Sequence, residues 1–571
     1  MKQHAQTRRK LVKATAIAAL SLSLWSGGIA PQWNLTPATG HSYAAAATTN
    51  APSSVVRPNQ VYSYSVLSSD LTKLAARYPE LIKRSSIGTS EYGRELYSFE
   101  LGKGPAIILL NGSHHAREWM TTIWLMAMTE YYAKAYEENA SWNGLRVRDL
   151  LDHVTFRIVP MVNPDGVTLQ QQGLSAFPAA DRPALTRMND GSTNFSRWKA
   201  NGKGVDLNRQ YPADWSHISN PASAPHYMNF KGTAPLQAKE SQAMANLTKM
   251  INPELAISYH TAGEIVYWNF HTLASNLNRD RAIATSYAAM TGYRLVAPTA
   301  NPSGGGFTDW FITQFHKPAL TPELGRANGN SHVPLSEWNR IWGQNRDTGW
   351  MFAERAYSLW MGGQKAAQAA GAIRLTRTEA SYASPELRAK PLGSIFTGKY
   401  TQLRTKGDWV EIKVPGGSRW INAKYTLTGP FDPITEPTVI ADQAIPLFQS
   451  PLDAKPIQKT LAAGIALPVI EKWKTWLLVK TPSGSYWVKA SSVHAVPAKP
   501  TTPEPETKPE QPTNPEPAGE TPETTVDPNA PSENPATTAD PKTPTENPAT
   551  TADPNAPTDA SGAPASNPTN E

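Results

Sequence analysis

The sequence predicts an α/β domain with a mixed sheet and flanking helices, followed by two small all-β units and a disordered tail. Three observations carry this. Between residues 60 and 365, short apolar runs alternate with helix-like stretches. A pattern that starts at 407 recurs at 474. From 498 onward the chain is a tract of Pro, Thr, Glu and Asn. A chain of 571 residues exceeds what one core holds, so several domains are expected.

Residues 1–47 read as an export signal. Lys2, Arg8, Arg9, Lys10 and Lys13 precede the apolar stretch ATAIAALSLSLW, and small residues follow in SYAAAA. The competing reading is a membrane anchor, which a short run broken by Ser and Gly disfavours. TRRKLVK also resembles a twin-arginine signal. Residues 48–59 read as a linker, and no later segment is apolar enough to span a bilayer. The chain has no cysteine, so disulfides and thiolate metal sites are excluded, and any metal must be held by His, Asp or Glu. An exported chain without cysteine suits a Gram-positive bacterium.

The charge is uneven. Residues 501–571 hold 13 acidic and 2 basic residues, a net of −11, so with a total of +7 the first 500 residues carry +18. A basic body favours anionic surfaces. Outside a cell these are wall polymers rather than nucleic acid, and the sequence has no aromatic-and-basic nucleic-acid motif. An ordinary solvated surface is the competing reading.

Within 60–365, IILLNGS, VTFRIVPMVN, ELAISYH and PALTPE are strand-like runs bounded by turn residues. WMTTIWLMAMTEYYAKAYEEN and PLQAKESQAMANLTKMI are helix-like. In open α/β sheets, functional residues gather where strands end. NGSHHAREWMTT follows the first run. His115 and Glu118 lie three apart and can face one point; His114, the neighbour of His115, cannot easily do the same. A catalytic zinc takes three protein ligands and keeps one open position. His260 closes ELAISYH and offers the third, although alone it also reads as a hydrogen-bonded histidine at a strand end.

GSHHAREW, VNPDGV (162–167), GVDLNRQYP (204–212), SYHTAGE (258–264) and TPELG (321–325) occur in that order. Together they resemble the zinc metallocarboxypeptidase family, and residues 64–102 are similar to that family's start. The resemblance covers about 300 residues and implies one zinc ion held by His115, Glu118 and His260. It makes Glu323 the catalytic general base and gives Asn208 and Arg209 the grip on a substrate carboxylate. Arg209 is also readable as a structural ion pair with Asp206. An oxyanion stabiliser is implied at Arg197 or Lys199, and Arg117 is placed to help bind substrate. The family's substrate-covering tyrosine falls by spacing on Asn301, and Thr308 lies near the position that sets specificity.

SYHTAGEIVYWNF and FSRWKANGKGVDLNR look like the γ-D-glutamyl-meso-diaminopimelate peptidases of spore-forming bacteria. That implies a secreted, wall-associated enzyme cutting peptidoglycan stem peptides. The alternatives are a secreted carboxypeptidase acting on ordinary peptides and an inactive wall-binding protein.

The two all-β units follow. GDWVEIKVPGGSRWINA (407–423) matches KTWLLVKTPSGSYWVKA (474–490) at a constant offset. Each copy alternates apolar and polar residues across a Pro/Gly turn, which signals a hairpin. Units at 373–428 and 437–497 resemble bacterial SH3-like modules, many of which dock on cell walls. In the competing reading their tryptophans are barrel core and bind nothing. The tail, 498–571, repeats ENPATTADP and DPNAP and cannot bury a core.

Overall fold

The structure, a computed structural model, describes residues 53–453 and 455–496. The expected signal, the first part of the linker and the tail lie outside the described residues. Eight strands build one sheet: β1 (Ile82–Thr89), β2 (Glu95–Gly102), β3 (Ala106–Gly112), β4 (Val154–Val159), β5 (Leu255–Tyr259), β6 (Ile265–Tyr267), β7 (Arg294–Leu295) and β8 (Ala319–Glu323). Their order across the sheet is β1-β2-β4-β3-β5-β8-β6-β7. The central β4, β3, β5 and β8 are parallel. β2 joins β4 and β6 joins β8 antiparallel, which makes the sheet mixed.

Parallel strands are covered on both faces and read as apolar runs. In β3, Ile108 and Leu110 pack with the helices Met120–Glu137 and Thr348–Gly362. Leu109 points the other way, into a cluster with the helices Lys239–Ile251 and Phe307–Phe315. The helix Met120–Glu137 is buried on most of its surface, which explains why its sequence lacks a broad polar stripe.

Because the central strands run the same way, their C-terminal ends share one edge. β3 leads into His115 and Glu118, β5 ends one residue before His260, and β8 ends on Glu323. His260 and Glu323 are backbone bridge partners across that edge.

Among the described residues after 371, the regular structure is β apart from two short helical turns, Ala423–Tyr425 and Ala490–Ser492. One antiparallel sheet orders its strands Gly417–Asn422, Trp409–Val414, Gly398–Lys406, Ala372–Leu375 and Thr426–Thr428. A second orders Gly484–Lys489, Trp476–Thr481, Leu467–Trp473, Thr438–Ile440 and His494–Ala495. The two hairpins of the sequence repeat occupy matching positions. Gly417 and Gly484 carry φ of 144° and 133°, a region that side chains disfavour, at the same point of each turn. Val410, Ile412 and Ile421 build the first core, and their counterparts Leu477, Val479 and Val488 build the second.

The first tryptophan of the repeat does something neither sequence reading foresaw. Trp409 stacks on His153 of the α/β body, with ring centroids 4.9 Å apart, and its indole N–H donates to Tyr357 at 2.5 Å. Asp408 accepts from Tyr357 at 2.7 Å and faces His153 Nδ1 at 2.5 Å. Lys424 Nζ donates to the Lys103 carbonyl, and Tyr425 donates to Asp152. Trp420 joins the same apolar cluster as the α/β body. In the second unit, Trp473 Nε1 donates to Thr428 of the first, and Trp487 packs with Leu427. The tryptophans therefore seal seams between units.

Trp409→Ala should destabilise the protein by about 3–5 kcal/mol, the usual cost of deleting a buried aromatic, and speed proteolysis near 363–371. An unchanged melting temperature and cleavage rate would show that the α/β body and the first β unit do not support each other.

Candidate active site

β3 leaves the sheet through Ser113, whose φ of 51° turns the chain sharply. The Ser113 amide donates to Thr121 Oγ1, and its hydroxyl lies 2.8 Å from that of Thr122. The turn is thus clamped to the start of the helix Met120–Glu137. A short helical turn, Ala116–Glu118, then carries Glu118 back toward His115.

His115 Nδ1 lies 2.8 Å from Glu118 Oε1, and His260 Nδ1 lies 2.8 Å from Oε2 of the same carboxylate. The two Nδ1 atoms are 3.1 Å apart. These donor atoms all lie within 4.8 Å of one another, and all three residues are buried. Two imidazole lone pairs cannot face each other at that distance without a proton or cation between them. A His-Glu-His set of this kind fits zinc.

The outer partners support that fit. His115 Nε2 lies 3.2 Å from Asp206 Oδ1. A carboxylate only accepts, so Nε2 carries the proton and Nδ1 keeps its lone pair for a metal. On the other ring, His260 Nε2 lies 3.4 Å from Ser258, whose hydroxyl donates to Asn111. Burial pushes the Glu118 carboxyl up, but His115 and His260 override it and hold it well below the usual range. Burial likewise opposes ionisation of Asp206, while Lys199 and His115 hold its pKa well below normal.

A cavity of about 430 Å³ opens beside these ligands. His115, Lys199, Asn208, Arg209, Thr308 and Glu323 line it. Lys199 Nζ is 3.1 Å from Asp206 Oδ2, and Arg209 Nε is 3.5 Å from the same oxygen. The ion pair with Asp206 is thus real, yet Arg209 still lines the cavity. Asn208 Oδ1 accepts from the Phe307 amide at 3.0 Å, which leaves its NH2 as the group available to substrate. Burial and the charge of Glu118 push the Glu323 carboxyl well above its ordinary range, against the pull of Lys199.

Two expected residues are engaged elsewhere. Arg197 donates to Asn189 and to Asp190 at 2.8 Å, and its guanidinium lies 3.8 Å from the Tyr227 ring centre. Of the two oxyanion candidates, Lys199 alone lines the cavity. Arg117 donates to the carbonyls of Arg197 and Asn330. His114 faces Tyr211 Oη at 2.9 Å, and burial lowers its pKa, so it is a neutral support. Asn301 is exposed, while its near neighbours Thr299 and Pro302 line the cavity.

The part played by three lining residues escaped the sequence reading, Asp206 being expected only as an ion-pair partner of Arg209. Asp206 orients His115. Tyr267 ends β6, half-exposed beside Glu323. Asp309 opens the helix Phe307–Phe315. A signal existed for Tyr267, because alternation in Ile265–Tyr267 buries Val266 and turns its neighbours to the opposite face.

The loop that carries Lys199 to Arg209 has its own buried support. Asn201 Oδ1 accepts from the Lys203 and Val205 amides, and its Nδ2 donates to Glu240 at 3.2 Å. Burial and the nearby charge of Asp165 push Glu240 up to about 8.

Residues 67–347 match the family model described as zinc carboxypeptidase. The γ-D-glutamyl-L-diamino acid endopeptidase 1 of Lysinibacillus sphaericus is 36% identical over 290 residues, covering 50% of this chain and 71% of that protein. The uncharacterized protein YqgT of Bacillus subtilis is 31% identical over 290 residues, covering 50% of this chain and 76% of that protein. Among solved structures, that of thrombin activatable fibrinolysis inhibitor aligns with a TM-score of 0.43 and 19% identity, covering 54% of this chain and 77% of the other.

His115→Ala or His260→Ala should abolish stoichiometric zinc in metal analysis after dialysis. Asp206→Asn should keep the metal but weaken its affinity about 10- to 100-fold. Full zinc retention in both histidine variants would overturn the donor set.

Glu240 gives a pH prediction. Its folded pKa of about 8 exceeds the ordinary 4.5, so the folded state binds more protons between those values. Stability therefore falls as pH rises through that window. Glu240→Gln should raise the melting temperature at pH 8 more than at pH 4.5. Parallel melting curves for the two proteins across that range would refute it.

Proposed function

The chain belongs to the zinc carboxypeptidase family and is a zinc metallopeptidase, and on that premise we propose that it hydrolyses the γ-D-glutamyl bond to meso-diaminopimelate in peptidoglycan stem peptides. The observation that carries this choice of substrate is the 36% identity, across 290 residues, to an enzyme named for γ-D-glutamyl-L-diamino acid bonds.

Zinc held by His115, Glu118 and His260 would supply a Lewis acid that acidifies water and polarises the scissile carbonyl. The chain's own residues do the rest. Arg209 pairs with the carboxylate beyond the scissile bond, planar group to planar group, and Asn208 adds an amide donor. Glu323 accepts the proton of the attacking water and delivers it to the departing amine. Its raised pKa suits a group that must hold that proton between the two steps. Lys199 offers a cation to the charge that develops on the carbonyl oxygen. Asp206 holds the His115 ring and the Lys199 ammonium in place.

We read the two β units, 373–428 and 437–497, as SH3-like modules that attach the enzyme to the wall, and residues 1–47 as the signal that exports it. The repeated hairpin and the basic charge of residues 1–500 support this for a Gram-positive cell. Wall contact would have to use surfaces other than Trp409 and Trp420, which are committed to the α/β body.

Mass spectrometry of L-Ala-γ-D-Glu-meso-diaminopimelate incubated with zinc-loaded protein tests the substrate. Free diaminopimelate is expected, with Glu323→Gln slower by about 10²- to 10⁴-fold. An intact tripeptide, with ordinary C-terminal residues released from a control peptide panel, would replace this reading by that of a general carboxypeptidase.

A further inference from the structure

Glu323 differs from the other polar groups of the cavity in that no polar contact holds its side chain. Its carboxyl oxygens have no hydrogen-bond or ion-pair partner among the described residues, so its backbone fixes where they stand. Up to Glu323 that backbone is β8, paired with β5 and β6. Beyond β8 it is pinned at each of three residues. The Glu264 amide donates to the Glu323 carbonyl at 3.0 Å, and the Leu324 amide donates to the His260 carbonyl at 2.8 Å. The Gly325 amide donates to the Tyr293 hydroxyl at 3.3 Å. Among the described residues, Tyr293 is the only one whose side chain bonds the backbone of residues 323–325.

That hydroxyl is tied down in turn. It also accepts from Asn345 Nδ2 at 3.1 Å and donates to Gln344 Oε1 at 3.4 Å. Gln344 Nε2 donates to Glu264 at 3.2 Å, and Arg340 clamps the same carboxylate with two N–H groups. Tyr293 therefore reaches the end of β8 twice. It does so directly at Gly325, and again through Gln344 and Glu264, whose amide holds the Glu323 carbonyl. Behind it, Asn345 accepts from Tyr287 and donates to the Ile341 carbonyl. Tyr287, Tyr293 and Asn345 are all buried. A buried hydroxyl with two donors and one acceptor has little freedom, and its loss would strand two N–H groups.

We propose that Tyr293 is a positioning residue for the reaction: its hydroxyl fixes the end of β8 and so holds the Glu323 carboxylate where the attacking water needs it. This rests on the reading of Glu323 as the proton carrier. In the competing account the hydroxyl only satisfies buried N–H groups. A misplacement of about 1 Å can cost a reaction about 10²-fold, so the two accounts separate in rate rather than in stability.

The test compares Tyr293→Phe with Tyr287→Phe, which removes a hydroxyl from the same buried chain without touching residues 323–325. Each is measured as zinc-loaded protein, alone and combined with Glu323→Gln. The substrate is whichever peptide the wild type cleaves, the tripeptide or one of the control panel, so failure of the γ-D-glutamyl reading does not reach this result. Tyr293→Phe is expected to lower kcat about tenfold, with KM within about twofold of wild type and zinc content unchanged. Tyr287→Phe should keep kcat within about twofold. Beside Glu323→Gln, Tyr293→Phe should cost nothing further, because the hydroxyl acts through that carboxylate. A wild-type kcat in Tyr293→Phe, an equal loss in Tyr287→Phe, or a loss that persists beside Glu323→Gln would each overturn the proposal. Glu323→Gln with the kcat of the wild type would sink the general base itself, and this role with it. If Tyr293→Phe melts below the assay temperature, Gln344→Met takes its place, since it removes both the acceptor of the hydroxyl and the link to Glu264. A loss of about threefold or more that vanishes beside Glu323→Gln is then expected, and an unchanged kcat would overturn the proposal.

Discussion

A carboxylate with no solvent exposure is tolerable only if its lone pairs are met, and Asp206 meets them from several directions. His115 lies on one oxygen, and Lys199 and Arg209 lie on the other. The amides of Asn208 and Asn229 add donors. In the proposed mechanism each partner has a separate duty: one holds metal, one faces the reacting carbonyl, one holds the substrate carboxylate. A single buried charge thus sets the spacing between the metal-ligand His115 and the cavity-lining Lys199 and Arg209. Removing it would strand two cations and free an imidazole, which is costlier than the loss of any one contact.

The parallel sheet makes the other half of this arrangement. β3, β5 and β8 are far apart in sequence, yet end along one edge. Glu118 can therefore face both His115 and His260, and Glu323 can stand beside them. The loop from Lys199 to Arg209 closes the cavity from outside the sheet. It is pinned to the metal turn by the Ala116 amide, which donates to the Lys199 carbonyl. Catalytic distances therefore rest on backbone pairing, with side chains making only the last few ångströms.

His115, Glu118, His260 and Glu323 were legible because each sits where an apolar run stops, and apolar runs mark strands. Asp206 was legible only as a partner for Arg209, since spacing along a chain does not show which ring approaches from another strand. Arg197 and Lys199 could not be separated for the same reason. They lie two residues apart, yet one reaches Asp190 and the other Asp206. The repeat shows a similar limit. Alternation identified the hairpins at 409–422 and 476–489, but not what covers their outer faces. Trp409 is buried because His153 and Tyr357, over 50 residues away in sequence, complete its surroundings.

The first β unit and the cavity occupy opposite ends of the same strands. His153 directly precedes β4 and Lys103 lies just before β3, so the first unit docks at the N-terminal ends. The metal ligands follow the C-terminal ends. β4 has six residues, so roughly 20 Å of strand separates the two. The docked unit leaves the cavity mouth uncovered, and the contacts of Asp408 and Trp409 give it a defined orientation. If the β units grip the wall as proposed, the cavity would be held at a set distance from the gripped polymer, facing away from it. Substrate would then come from a neighbouring strand of the mesh, and the rigidity of the seam at Trp409 would decide how well that reach is kept.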